Sequence, residues 1–488
     1  MARFRLDRSD PTPLYQQICA HVVSLVEQGT LISGDRLPPT RILAETLGVH
    51  RSTVVRAYDE VRALGYLESR AGSYSTVRLR TRSPATRVPS SAAMSIIDWD
   101  GLADPAVLQL RRQPRRELTS PTKTKVLIDF ERLAADPALA PSDELRRCIK
   151  NVLLRTGGAA LDYAEAAGWR PLREVIALRM RVHGVSVGAD EVVITGGAQQ
   201  ALDMILRFLC RRGDAVILEA PSYGMLHSLL RLHGVVPVEI PMRDDGLDLG
   251  LLERALASGP RLVYTMPNFQ NPTGITTNQA HRERLLSLCE KHRVPILEDG
   301  FEEEMKFFGQ AVLPIKSMDA QGIVLYVGTF SKVVFPGLRI GWVVAPRRVA
   351  EHLAAIQEAS CLGGNTLAQA AAARFCTGGQ FELYLRRTHR IYRRRMQDLL
   401  QNLRVHLGRD ARWTRPGGGY LLWLTLPSSS EDEATILTRF LEAGVKVSPG
   451  SRFFAKPPSV PHFRLSIACT RRDEIVEGCR RLGTVLAD

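Results

Sequence analysis

Two kinds of hydrophobic periodicity divide this chain. From Pro13 to about Leu79 apolar residues recur at helical steps, with short loops between, and the pattern ends in a hairpin-like stretch. Leu43, Ala44 and Leu47 share one face of a short helix that opens at Leu37-Pro38-Pro39-Thr40, and Gly48-Val49-His50 makes a turn. Val54, Tyr58, Val61 and Leu64 then repeat at four, three and three residues in a second helix from about Arg51, which is the spacing of a single buried face. Gly65 ends that helix as a cap, and residues 66–73 read as a strand and turn. The other face of the second helix carries Arg51, Ser52, Thr53 and Arg56 and is free to meet DNA, giving a helix-turn-helix with a wing. A helix pair of this kind also serves plain core packing, so the pattern leaves both uses open.

From Val126 onward short β-branched runs alternate with longer amphipathic stretches, which predicts an α/β domain with a largely parallel sheet. The expected strands are residues 191–194, 215–218, 261–264, 294–297 and 323–327, each followed by a cluster of Gly, Pro and polar residues. That carboxyl edge is where open α/β sheets bind ligands. Between the two zones, residues 80–125 are rich in Arg, Ser, Pro and Thr with little periodicity, the composition of a linker. The expected organisation is therefore residues 1–79, a linker 80–125, and a domain 126–488, as two or three domains in 488 residues would require.

Composition narrows the class. Hydrophobic content of 45% and charged content of 24% fit a globular protein. No apolar run approaches a bilayer span, and Met1-Ala2-Arg3-Phe4-Arg5 is followed by polar residues rather than a signal-peptide core, so no membrane partner and a cytoplasmic location are expected. The eight cysteines show no C-x-x-C pair and no histidines at zinc spacing, so they read as reduced packing residues and no metal site is expected. A net charge of +14 favours an anionic partner. Much of it lies outside the first zone, in Arg386-Arg387 and Arg393-Arg394-Arg395, which reads equally as a solvated helix face.

The chemistry centres on Lys332, in Gly328-Thr329-Phe330-Ser331-Lys332 directly after the apolar run 323–327. A lysine so placed suits an imine with the aldehyde of pyridoxal 5'-phosphate; the hydroxyls of Thr329 and Ser331 and the planar fork of Arg339 suit its phosphate. Asp299 after another strand can pair with the pyridine nitrogen and make the ring an electron sink, although such an aspartate also serves as a cap or turn former. Asn271, in Asn271-Pro272-Thr273-Gly274, can donate to the ring 3'-oxygen, or simply turn the chain. Ala198 and Gln199 at a helix start offer backbone N–H groups to a phosphate. Tyr223 can lie over the pyridine, and Arg464 can fork onto a substrate or effector carboxylate, or form a structural ion pair.

The string from Leu37 through Val77 resembles the winged-helix domain of the GntR family, in its leucine-proline opening, Arg41, the Leu-Gly-Val turn, the Arg-Ser-Thr start of the second helix, and Leu-Gly-Tyr-Leu before the wing. That resemblance implies contacts to double-stranded DNA by Arg41, Arg51, Ser52 and Thr53, with Gly72 at the wing tip. Val55 stands where some members carry a base-contacting arginine, and Tyr74 where a second glycine is common, so the sequence preference does not transfer. Val126 to the C-terminus resembles a fold type I pyridoxal-phosphate-dependent aminotransferase with a small C-terminal α+β subdomain, on the ordered set of glycine-rich turn, Tyr223, Asn-Pro-Thr-Gly, Asp299, Ser-Lys, Arg339 and Arg464. By the same resemblance Tyr163 reaches the phosphate of a neighbouring subunit, which implies a homodimer. Many relatives carry a tyrosine where this chain has Phe301, and the lost hydroxyl implies a shifted aldimine pKa.

The full arrangement resembles the MocR subfamily of bacterial transcription regulators, whose members often exchange domains head to tail. It implies a regulator whose aminotransferase-like domain senses pyridoxal phosphate, or an amine or amino acid, through aldimine formation at Lys332. A working aminotransferase that also binds DNA is the alternative, and a purely structural dimeriser the third reading.

Overall fold

The computed structural model describes residues 6–68, 74–78, 98–112, 127–306, 308, 312–408, 410–427 and 431–487. The chain divides into two compact units, residues 1–102 and residues 103–488. The expected linker 80–125 spans that division. Its described part, 98–112, holds two short helices.

In the first unit, α1 (Leu14–Glu27), α2 (Thr40–Leu47) and α3 (Arg51–Ala63) precede an antiparallel pair, β1 (Leu67–Glu68) and β2 (Thr76–Val77). Ile18 and Val22 of α1, Leu43 and Ala44 of α2, and Val54, Ala57, Tyr58 and Val61 of α3 form its core. Gly48 takes a left-handed φ of +61° between α2 and α3, a conformation that costs glycine nothing. Leu64, expected on the buried face, is 48% exposed because the helix has ended at Ala63. Gly72 lies outside the described residues. A short helix α4 (Trp99–Leu102) ends the unit.

The second unit opens with α5 (Pro105–Arg112), whose first turn is capped by Asp104 accepting from Ala106 N at 2.7 Å. A short strand β3 (Ile128–Asp129) and helices α6 (Ser142–Thr156) and α7 (Arg170–Val182) lead into an eight-stranded sheet. Its strands are β4 (Val192–Thr195), β5 (Ala215–Ala220), β6 (Val236–Arg243), β7 (Gly246–Leu247), β8 (Leu262–Thr265), β9 (Ile296–Asp299), β10 (Val324–Thr329) and β11 (Gly341–Val344), in the order β4-β11-β10-β9-β8-β5-β6-β7. All five expected strands are present within two residues. β6, β7 and the antiparallel β11 were not anticipated, because Pro237 and Pro241 interrupt the first, the second is only Gly246-Leu247, and the third is a short Trp-Val-Val run.

Strand alternation sorts the sheet into two faces. Ile217, Val263, Ile296 and Val324 point to one core, against α10 (Leu249–Leu256) and α11 (Gln279–His292), which follow α8 (Ala198–Leu209) and α9 (Gly224–His233) in the chain. Val216, Leu218, Leu262, Tyr264, Leu297 and Leu325 point to the other. Strands covered on both faces are hidden from solvent, and β4, β8 and β9 are buried along their whole length, the last with Glu298 and Asp299 at its end.

Helices α12 (Arg347–Cys361), α13 (Thr366–Thr377) and the 27-residue α14 (Gln380–His406) lead to the last part of the chain. There β12 (Arg412–Trp413), β13 (Leu421–Thr425), α15 (Glu433–Glu442), β14 (Val445–Lys446), β15 (Ser448–Pro449), β16 (His462–Ser466) and α16 (Arg472–Ala487) form an α+β layer around the antiparallel sheet β12-β13-β16-β15, with β14 pairing with β3. No helix among the described residues is long and apolar enough to cross a membrane.

Candidate functional site

The loops at the carboxyl edge of the large sheet converge on one cleft. Ala198 and Gln199 enter from the turn after β4, Tyr223 from the loop after β5, Asn271 from the loop after β8, and Asp299 from the end of β9. Thr329, Ser331 and Lys332 come from the end of β10 and the turn beyond it, and Arg339 from the approach to β11, with Met266 and Phe301 completing the wall. Nine residues expected from separate stretches of sequence thus line a single cavity.

At the phosphate-sized end, Arg339 donates from Nη2 to Gly196 O at 2.9 Å and from Nη1 to Ser331 Oγ at 3.4 Å. It faces the start of α8, where Gly197 has φ +98°; a Cβ there would lie 2.6 Å from Arg339 Nη2. Only glycine allows that approach, and the helix N-terminus adds backbone N–H groups and a favourable dipole for an anion. Thr329 Oγ1 is engaged with Ile340 O at 3.0 Å and accepts from Ser331 N at 3.0 Å, so it shapes the turn as well as lining the cleft. Tyr223 donates to Gln199 Oε1 at 3.0 Å, which fixes the tyrosine across the cleft.

At the other end Asp299 is 3% exposed. Tyr264 donates to its Oδ2 at 2.8 Å, whereas its Oδ1 is buried and has no hydrogen-bond partner among the described residues. Burial raises its pKa to about 6, against the Tyr264 hydroxyl, the Phe301 N–H and the Lys332 charge, which pull it down. A protonated pyridine nitrogen would satisfy the bare oxygen and compensate the buried charge. Lys332 Nζ donates to Leu133 O at 2.9 Å, and its own carbonyl accepts from Tyr420 Oη at 2.9 Å. The donor set, a lysine, a buried carboxylate, an amide and an anion cradle in one cleft, fits pyridoxal 5'-phosphate.

An adjoining cleft shares Tyr223, Asn271 and Lys332 and is walled by Arg464. Arg464 is 4% exposed, donates from Nη1 to Asn271 Oδ1 at 3.1 Å and from Nη2 to Glu131 O at 2.8 Å and Ser448 Oγ at 3.0 Å, and lies over the Phe453 ring at 5.1 Å. Those three oxygens are neutral amide, carbonyl and hydroxyl groups, which hold the fork in place beside the cleft and suit it to a ligand carboxylate. Tyr163 is 80% exposed and outside the cleft of its own chain.

Sequence reasoning missed Tyr264, Tyr420 and Glu302. Tyr264 had a readable signal: it pairs with Leu297 across β8 and β9, so the residue two beyond Leu297 on the same face is Asp299. Glu302 had none. It is fully buried, accepts from Tyr420 N at 3.1 Å through Oε2, has no hydrogen-bond partner on Oε1 among the described residues, and is pushed up to about 8 by burial.

In the first unit α3 presents Arg51 and Ser52 as exposed and Thr53 as half-buried. Ser52 Oγ lies 2.6 Å from His50 Nδ1, which caps the helix. Arg41 pairs with Glu45 at 3.2 Å with both side chains exposed. Arg56, expected on the open face, is exposed there and also stacks on Tyr15 of α1, with its guanidinium 3.9 Å from the ring centroid.

Residues 14–77 match the family described as bacterial regulatory proteins, gntR family, and residues 136–482 match aminotransferase class I and II. The probable rhizopine catabolism regulatory protein MocR of Rhizobium meliloti is 32% identical over 93% of this chain and 90% of its own length. The aromatic-amino-acid aminotransferase 1 of Thermococcus litoralis is 31% identical over 80% of this chain and 95% of its own. Among solved structures, LysN of Thermus thermophilus, an alpha-aminoadipate aminotransferase complexed with N-(5'-phosphopyridoxyl)-L-leucine, is 32% identical, covers 80% of this chain and 98% of its own, and superimposes with a TM-score of 0.73.

Proposed function

This chain belongs to the MocR-type regulators, in which a GntR DNA-binding region precedes a class I and II aminotransferase region, and from that premise we propose that Lys332 is the attachment point through which it senses an amine or amino acid. Its cofactor is pyridoxal 5'-phosphate, which when bound supplies an aldehyde that condenses with amines and a ring that accepts electrons. The observation that carries the proposal is that a DNA-binding region and a cleft with a complete cofactor donor set occur in one chain.

The residues divide the work. Ala198, Gln199, Ser331 and Arg339 hold the phosphate, Asp299 holds a proton on the ring nitrogen, Asn271 donates to the ring 3'-oxygen, and Tyr223 covers the ring. Arg464 takes the carboxylate of the effector, at a position 3.1 Å from Asn271, so that ligand and ring contacts are joined by one hydrogen bond. The effector shifts DNA affinity only in so far as it binds two conformations of the protein unequally.

A homodimer is part of the same proposal. Tyr163 at 80% exposure, with Leu161 at 69% and Leu154 at 75% near it in sequence, adds exposed apolar and aromatic residues of the kind that a second subunit covers. On the DNA side Arg41, Arg51, Ser52 and Thr53 make the contacts, with arginine on phosphate setting orientation.

A second reading, a working aminotransferase that binds DNA, is favoured by the convergence of Lys332, Asp299, Arg339 and Asn271 in one cleft. Turnover separates the two. The cofactor-loaded chain is mixed with amino acids and a 2-oxo acid, and keto-acid product is measured beside duplex affinity; the regulator reading expects affinity to change with no sustained product, and sustained product at unchanged affinity would reject it.

A further inference from the structure

The helix α14 carries an arginine face that neither the cofactor cleft nor α3 accounts for. At 100° per residue, Arg386, Arg390 and Arg393 stack on one stripe, with Arg387 and Arg394 beside it, and all five are exposed. The opposite side, Tyr384, Thr388, Tyr392, Arg395 and Leu399, is buried. Arg395 therefore leaves the cluster: it donates to Asp136 Oδ2 at 2.7 Å and to Ala468 O at 2.9 Å, and is a packing residue.

None of the five exposed arginines has a carboxylate within ion-pair distance among the described residues. The helix holds two acids, and both are engaged elsewhere: Glu382 with Arg179 at 2.7 Å and Asp398 with Arg472 at 3.0 Å. Like charges three and four residues apart repel on a helix, and a merely solvated face intersperses signs. Arg387 is steadied by donating to Leu139 O at 2.7 Å and Arg393 by lying 5.5 Å from the Phe308 ring, contacts that position the side chain and leave the charge uncompensated. Arg386 to Arg394 spans about 12 Å of helix, a length over which duplex DNA presents roughly seven phosphate charges.

We infer that this face of α14 binds the phosphate backbone of duplex DNA, in addition to the contacts made by α3. The inference rests on the DNA-binding reading, and its contacts are sequence-independent because a guanidinium on phosphate carries no base information.

A duplex selected by the full-length, cofactor-loaded chain from a random pool is prepared at about 25 and about 60 base pairs, and affinity is measured against salt. In R386Q/R390Q/R393Q/R394Q the slope of log K against log salt on the long duplex should be shallower by about 3.6, at about 0.9 per lost phosphate contact. The matching lysine variant should keep the wild-type slope, and both should keep the cofactor absorbance and the sedimentation of the wild type. An unchanged slope on the long duplex overturns the inference, as does a lysine variant that loses the slope too, or a glutamine variant that sediments as a smaller particle because the face joins two copies. Wild-type chain that binds neither duplex would reject the DNA reading itself, a different result from a wild-type chain that binds both with the slope untouched by substitution.

Discussion

Arg464 donates to the side-chain oxygen of Asn271 across 3.1 Å, joining a cation on β16 to an amide on the loop after β8. That bond commits the Asn271 oxygen and leaves its amide nitrogen to donate toward the ring. Arg464→Gln should therefore weaken binding of a carboxylate-bearing effector by roughly 10- to 100-fold, the cost of about 1.5–3 kcal/mol for a hydrogen bond to a charged group. Titration of the cofactor's visible absorbance with the effector checks it; equal affinity in the variant would place the carboxylate elsewhere.

Phe301 is 6% exposed and lines the cleft without a hydroxyl. Phe301→Tyr adds a donor to the ring 3'-oxygen, draws negative charge from it, and should lower the pH midpoint of the cofactor's visible transition by about one unit, or about 1.4 kcal/mol. A midpoint that does not move would mean that the new hydroxyl does not reach the ring.

Burial pushes Glu302 up to about 8, and Glu219 and Glu298 to about 7, from ordinary values of 4.5. An acid raised in the folded state keeps a proton that the unfolded chain gives up. Its contribution to stability is full below about pH 4.5 and is lost as pH climbs through the folded value. The cofactor-free protein should accordingly melt at lower temperature at about pH 8 than at about pH 5, and Glu302→Gln should flatten that dependence by on the order of 3–5 kcal/mol. Parallel melting curves against pH for variant and wild type would show that Glu302 ionises freely.

Arg51 is exposed at the start of α3, and Arg41 is held by an exposed pair with Glu45. Surface pairs of that sort contribute little, so both cations are available to DNA. Arg51→Gln should cost roughly 1–3 kcal/mol in duplex affinity with the cofactor absorbance intact, whereas Arg41→Gln should flatten the salt dependence by about 0.9. Unchanged binding by the Arg51 variant, read by fluorescence anisotropy, would move the DNA-reading face off α3.

The cofactor cleft was legible because its residues sit at the ends of strands whose apolar runs announce themselves, as with Lys332 after β10 and Asp299 on β9. What escaped depends on pairing between distant segments. Tyr264 acquires its partner only when β8 and β9 lie side by side, and Glu302 meets Tyr420 only when the C-terminal layer folds back over 118 residues of chain. The stacking of Arg56 on Tyr15 escaped for the same reason, since the periodicity of α3 cannot show which residue of α1 meets it. The splitting of Arg393-Arg394-Arg395 into two outward residues and one inward was available from helical phase, but only once the register of α14 was known.

One measurement bears most directly on the account: cofactor absorbance and duplex affinity recorded together while the loaded protein is titrated with a panel of amino acids and amines, followed by a 2-oxo acid. The account predicts that one ligand changes both signals at the same concentration, shifting duplex affinity by about 5- to 150-fold, and that the 2-oxo acid produces no sustained turnover. Absorbance that changes with every amino acid and is reversed by the 2-oxo acid, while duplex affinity stays constant, would contradict it.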